Sequence, residues 1–325
     1  MKTNTICLAA WAGVMTLPAT LSPALAQDGF LIGIVEQQLS NPFFGKLQAA
    51  AVARAEEHGL ETMTAESQTA GDAASQIAAI ENMITRGVKG IVLDPANATA
   101  LVPIVEEARA AGIIVVTTNT SLDPATAAAA SYETDNLAAG ELIGRWALAQ
   151  LDGAAPRVAM LDYDLSDRTA GLRHDGFLAG FGIADGAPEI AGTALTQANV
   201  ETGQSSMENL LAANPDINVL YTINEPAAQG AALAIQAAGA DVIVTSIDGS
   251  CSGVRSVADG TIGATVMQFP SNMGELAVDA VFEAVNGGTQ PSGVNNSGTV
   301  LITDSPVEGI ESQDSAWGLE NCWGE

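Results

Sequence analysis

Short continuous apolar runs alternate along the chain with longer stretches whose apolar positions recur three or four residues apart. The first pattern belongs to strands buried on both faces, the second to amphipathic helices. The run at 30–35 predicts a first strand. A helix is expected over 42–58, with Gly59 as its cap. Then follow strand 61–65, helix 72–86, strand 90–93, helix 98–111 ending at Gly112, strand 113–117 and a weaker strand 128–132. The alternation restarts with helix 136–151 and strand 157–162. It continues through helix 169–181, strand 189–196, helix 201–213, strand 219–223, helix 227–238, strand 242–247, strand 262–267 and helix 272–286. Two successive βα series without a Pro/Ser-rich linker predict an α/β protein of two doubly wound parallel sheets. The tail 303–325 has little periodicity, and its Trp317, Cys322 and Trp323 suggest a segment packed on a domain.

The informative polar residues stand at the ends of expected strands. Asp94 follows GIVL, Asn119 follows IIVVTT, Asn224 follows VLYTI, Asp248 follows VIVTSI and Gln268 follows IGATVM. Ligands of open α/β sheets bind outside the carboxyl ends of the strands. Five such residues drawn from both halves point to one polar site in a cleft between two sheets. Arg173 follows the strand ending at Asp162 by one helix and can reach the same cleft.

Several chemistries lack their residues. After the first strand the chain reads EQQLSNPFF, with no glycine before Gly45, so the turn cannot wrap a pyrophosphate as G-x-G-x-x-G does. No P-loop is present. Gly249-Ser250-Cys251-Ser252-Gly253 resembles a nucleophile elbow, but that architecture needs a later histidine, and both His58 and His174 come earlier. Asp162, Asp164 and Asp167 form an acidic cluster without the Gly and Glu of an EF-hand loop: Asp167 and Arg173 stand there. No metal site, cofactor or catalytic group is assigned.

The N-terminus changes the picture. Lys2, the apolar stretch 6–17 and Ala24-Leu25-Ala26 read as a signal peptide over 1–26, cleaved near Ala26. An uncleaved anchor is the alternative, and the place of Cys7 argues against a lipoprotein. The chain is expected to be exported, without direct membrane insertion. The chain carries 11 basic and 38 acidic residues, net −27. Such a chain is repelled by nucleic acid and by anionic membrane surfaces. After the signal, Cys251 and Cys322 remain; in an exported protein an even pair suggests one disulfide, with two free thiols as the alternative.

The segment IVEQQLSNPFFGKLQ resembles the first strand and helix of the periplasmic ribose-binding-protein family, the type I solute-binding proteins of sugar ABC transporters. The resemblance continues through GVKGIVLDPANATAL, AGIIVVTTNT, SYETDNLAAGELIG, LRHDGFLAGF, LYTINEPAAQGAALAIQAAG, VTSIDG and GATVMQFPSNMGELAV, over nearly all of 30–300. It implies two lobes joined by a three-strand hinge: 28–134 plus 269–300, and 135–268 plus 301–325, with crossings near Thr134, Gln268 and Val300. It implies that Asn41, Phe43 and Phe44 line a sugar cleft. The polar belt it carries over is Asn41, Asp94, Asn119, Arg173, Asn224, Asp248 and Gln268, with Gln37 and Thr134 as weaker candidates. Asp94 stands where the family has Asn, Asn119 where it has Asp, and Ile247 where an aromatic is sometimes found. Exchanging amide and carboxylate changes which hydroxyl donates and which accepts.

The expected function is capture of a monosaccharide and delivery to the permease subunits of an ABC importer, by a monomer that is not an enzyme. The tail VEGIESQDSAWGLENCWG looks like the fructose-binding branch, so fructose is the expected ligand; another pentose, hexose or polyol, feeding transport or chemotaxis, is the alternative. A LacI-type regulator shares this core but needs an N-terminal helix-turn-helix where this chain has an export signal. A secreted sugar-acting enzyme is the remaining class.

Overall fold

The computed structural model describes residues 29–69 and 71–324, together with Met1. The expected signal peptide and its cleavage point lie outside the described residues. The first series comprises β1 (Leu31–Glu36), α1 (Pro42–Glu57), β2 (Glu61–Glu66), α2 (Ala73–Arg86), β3 (Gly90–Leu93), α3 (Val102–Ala110), β4 (Ile114–Thr118) and β5 (Ala130–Glu133). The second comprises α4 (Asn136–Gln150), β6 (Val158–Asp162), α5 (Arg168–Phe181), β7 (Ile190–Leu195), α6 (Val200–Ala213), β8 (Val219–Thr222), α7 (Glu225–Ala238), β9 (Ile243–Asp248), α8 (Cys251–Ala258) and β10 (Ala264–Gln268). The chain ends with α9 (Pro270–Val285), β11 (Gly293–Asn296), β12 (Thr299–Ile302) and α10 (Ser315–Asn321).

These strands form two six-stranded sheets, ordered β11-β5-β4-β3-β1-β2 and β12-β10-β9-β8-β6-β7. All pairings are parallel except β10 with β12. Helices cover both faces of each sheet, giving each lobe two apolar layers. In the first lobe Ile80, Met83, Ile91 and Val105 lie on one side, and Ile32, Ile34, Val116 and Val278 on the other. Helix pairs approach closely where glycines remove side chains. A Cβ at Gly140 would strike the Arg173 carbonyl, and one at Gly176 the Leu137 carbonyl, so α4 and α5 pack backbone to backbone.

Among the described residues the chain passes between the sheets three times. It leaves the first after β5, returns between β10 and α9, and leaves again between β11 and β12. Val300, the expected third crossing, lies inside β12 and pairs with Met267 in the second sheet. The change of sheet comes earlier, between Asn296 and Thr299, because β11 ends its ladder at Asn296 opposite Glu133.

Most elements fall within a residue or two of expectation. α3 begins at Val102 and not at 98, because the Asn97 side chain accepts from the backbone N–H of Thr99 and Ala100 and holds a turn there. Among the described residues α8, β11, β12, α10 and a short 3-10 turn at Ala125–Ala127 were not foreseen. β11 reads GVNN and offers no apolar pattern; its place comes from edge pairing with β5.

Candidate functional site

A cleft of about 320 Å³ opens between the lobes at the carboxyl ends of both sets of strands. In the first lobe, Asn41 caps α1 by accepting from the Phe43 N–H at 3.0 Å, and Pro42 starts the helix without wasting a donor. This short entry turns Phe43 and Phe44 toward the cleft, edge to face with centroids 5.5 Å apart. Gln37 and Asn119 join them on the wall. Asn119 has φ 62, a left-handed turn that Asn tolerates better than most residues.

The second lobe supplies the charged groups. Arg173 on α5 is almost fully buried; it donates from Nε to Asn136 Oδ1 at 2.8 Å and from Nη1 to the Ile223 carbonyl at 2.9 Å. These bonds fix the guanidinium plane and leave Nη2 without a protein partner among the described residues. Asp248 at the end of β9 lies 3.9 Å from Nη1, a coulombic neighbour and not a hydrogen bond. It accepts from the Gln268 amide at 3.0 Å and from the Glu225 N–H at 3.2 Å. Burial pushes the Asp248 carboxyl up to about 7, helped by the Glu225 charge and opposed by Arg173. Asn224 caps α7, accepting from the Ala227 N–H and donating to the Ala198 carbonyl, and also lines the cleft.

Nine of the eleven expected contacts line this cleft; Asp94 and Thr134 do not. Asp94 is fully buried behind the wall. It accepts from Gln37 Nε2 at 3.0 Å and from Asn119 Nδ2 at 3.3 Å, so it holds two wall amides from behind. Burial raises it to about 7, and those two donors lower it. Thr134, at the first crossing, donates to Gln268 Oε1 at 2.8 Å, and Gln268 in turn donates to Asp248. The threonine at this crossing is thus tied through one amide to a cleft carboxylate.

Some wall residues were not foreseen. Tyr163 and Gln197 line the second lobe's side, and Asp167 does so while capping α5. Of these only Asp167 carried a signal, as part of the acidic cluster. That cluster does not converge. Asp162 is buried against His174 Nδ1 at 3.0 Å, and Asp164 is bonded to Ser166. Among the described residues no group of three or more His, Cys, Asp or Glu side chains could hold a metal ion. Glu225 was also missed: it is buried at the start of α7, and its carboxylate takes the N–H groups of Gly249 and Ser250 and the Thr265 hydroxyl, which sets the loop after Asp248. Cys251, centre of the elbow-like motif, begins α8 within bonding distance of Cys322, with Cα atoms 4.9 Å apart. No helix among the described residues is long and apolar enough to cross a membrane.

Planar amides, carboxylates and a guanidinium around aromatic faces suit a small polyhydroxylated molecule. Comparison with known proteins agrees. Residues 32–289 match the family model described as periplasmic binding protein domain. A ribose import binding protein of Bacillus subtilis is 30% identical over 258 residues, 79% of this chain and 82% of that protein. A D-apiose import binding protein of Actinobacillus succinogenes is 32% identical over 261 residues, again 79% of this chain and 82% of its own. The crystal structure of an ABC transporter solute-binding protein from Bacillus halodurans with bound myo-inositol superimposes with a TM-score of 0.77 at 26% identity, covering 86% of this chain and 96% of that one. The two-lobed architecture, the cleft at the strand ends and the family match over most of the chain lead to one identification: the chain belongs to the periplasmic binding protein family, as a type I sugar-binding protein.

Proposed function

We propose that the protein captures a monosaccharide in the interlobe cleft and delivers it to the permease subunits of an ABC importer. The observation that carries this reading is the pairing, in one cleft, of Phe43 and Phe44 from one lobe with Arg173, Asn224 and Asp248 from the other. The rings cover the C–H faces of a sugar, and the polar groups meet its rim of hydroxyls. Arg173 can only donate, whereas the amides both donate and accept, so the ligand must offer both. Closure around it is a shift between open and closed lobe arrangements. The protein acts as a monomeric receptor and not an enzyme, exported to the periplasm by residues 1–26.

Fructose remains our first candidate, on the likeness of the tail alone. Ribose, apiose and myo-inositol, named for the relatives above, are the alternatives. The test is thermal unfolding of the mature chain against fructose, ribose, apiose, allose, arabinose, galactose and inositol. A ligand at 100 times its Kd adds about 2.7 kcal/mol of stability, an easily read shift. A shift with fructose alone supports the branch; a shift with another sugar discards fructose and keeps the receptor. Silence across the panel, after unfolding and refolding to remove any retained ligand, sinks the monosaccharide reading.

A further inference from the structure

The tail 303–324 lies outside the residues matched by the family model, yet it reaches the cleft's foundations. It is bound first to the second lobe: the Trp146 indole donates to the Ser305 carbonyl, and Thr303 Oγ1 donates to the Gly263 carbonyl. α10 then leads to Cys322, joined to Cys251, and to a short parallel bridge between Ser250 and Trp323. There the Cys251 N–H donates to the Trp323 carbonyl at 3.0 Å. The backbone of Trp323 is therefore pinned to the loop that follows Asp248.

Its side chain points the other way. The indole packs into the first lobe against Phe43, Leu47 and Met273, and is 6% exposed. It meets the Phe43 ring at 78° with centroids 5.3 Å apart. Its Nε1 donates to the Gln268 carbonyl at 3.0 Å, at the second crossing between lobes. One side chain thus touches a cleft aromatic of one lobe and the backbone of a cleft amide of the other, without itself lining the cleft.

We propose that Trp323 is a positioning residue for ligand binding: its indole holds Phe43 and the Gln268 backbone in register, so the tail sets the affinity of a cleft it does not line. Relative rotation of the lobes shears this contact. Losing it therefore loosens Phe43 and lowers the fraction of binding-competent molecules, which raises the apparent Kd. The inference rests on the proposed sugar-binding function.

The experiment is calorimetric titration of wild-type, Trp323→Ala and Trp323→Phe with the panel sugar that wild-type binds, well below each variant's Tm. Val105→Ala, in the first lobe's core away from the cleft, controls for stability loss alone. Trp323→Ala is expected to bind about thirtyfold more weakly, the combined loss of an edge-to-face pair and one hydrogen bond. Trp323→Phe keeps the ring contact, and its deficit shrinks to about fivefold, the worth of the missing donor. Val105→Ala lowers Tm and leaves Kd unchanged. If Trp323→Ala lowers Tm but binds like wild-type, the role is merely structural and the inference falls. Should Trp323→Ala fail to fold, Trp323→Phe decides, and wild-type affinity overturns the inference. A wild-type protein silent to every sugar instead overturns the reading of the site, and this inference with it.

Discussion

Arg168 and Glu133 form an ion pair across the lobes, and its removal should weaken ligand binding. Arg168 heads α5 in the second lobe; Glu133 ends β5 in the first. Nη1 donates to Glu133 Oε2 at 2.9 Å, and Ser121 Oγ donates to the other carboxylate oxygen at 2.8 Å. Glu133's side chain is 3% exposed and Arg168's is 44%. A hydrogen bond to a charged group contributes about 1.5–3 kcal/mol. The half-exposed guanidinium is screened by solvent, so about 1–2 kcal/mol is the reasonable share. In the proposed opening of the lobes the pair parts and both ends are hydrated, so this energy favours the closed form. Arg168→Ala should therefore raise the apparent Kd by roughly 5- to 30-fold.

The effect should depend on pH. Burial holds the Glu133 carboxyl above its ordinary range even though Ser121 and Arg168 pull it down. Without Arg168 it rises further in the closed form, which then takes up a proton on closing. Closure is favoured at low pH and weakens as pH rises, so the variant's deficit should be larger at pH 8 than at pH 5. Titration calorimetry at both values reads the affinity, and small-angle scattering reads the ligand-free shape. Arg168→Lys should recover part of the loss. Unchanged affinity and unchanged scattering in Arg168→Ala at both pH values would refute the role assigned to the pair.

Three further outcomes follow from the same geometry. Arg173→Ala or Asp248→Asn should weaken binding by roughly 10- to 150-fold, since each loses a charge-assisted bond of about 1.5–3 kcal/mol, and Asp248→Asn also alters the acceptor of the Gln268 amide; near-wild-type titration of either folded variant would remove that residue from the site. Asp94 and Asp248 are both raised to about 7 from 3.8, so the folded state holds protons that the unfolded state releases. Their contribution to stability is full below about pH 4 and is lost as pH rises toward 7. Asp94→Asn should therefore flatten the fall in urea-unfolding stability between pH 5 and 7, and an unchanged slope would contradict the buried position. Reducing Cys251–Cys322 opens a loop of sequence separation 71 and should cost about 4 kcal/mol in the chain-entropy picture. Alkylation with and without reductant, read by mass, should find both thiols blocked in the oxidised protein; two freely alkylated cysteines without reductant would show there is no bond.

Local features were legible in the residues alone. Alternation of buried strands and amphipathic helices is written in apolar spacing, because each element must bury its own face. Asn41-Pro42-Phe43-Phe44 announces a cap, a helix start and two rings, since capping needs only neighbouring residues. Polar residues at strand ends announced the cleft because parallel strands share a carboxyl edge. Other decisions needed the tertiary structure. Asp94 and Asn119 both follow strands, but only packing puts Asn119 on the wall and Asp94 behind it. β11 is a strand because β5 offers it an edge, a partner no local pattern reveals. Thr134 reaches Gln268, Arg168 reaches Glu133 and Trp323 reaches Phe43 across long stretches of chain. Such contacts arise where separate elements converge in space, and hydrophobic periodicity carries no record of which side chains will meet there.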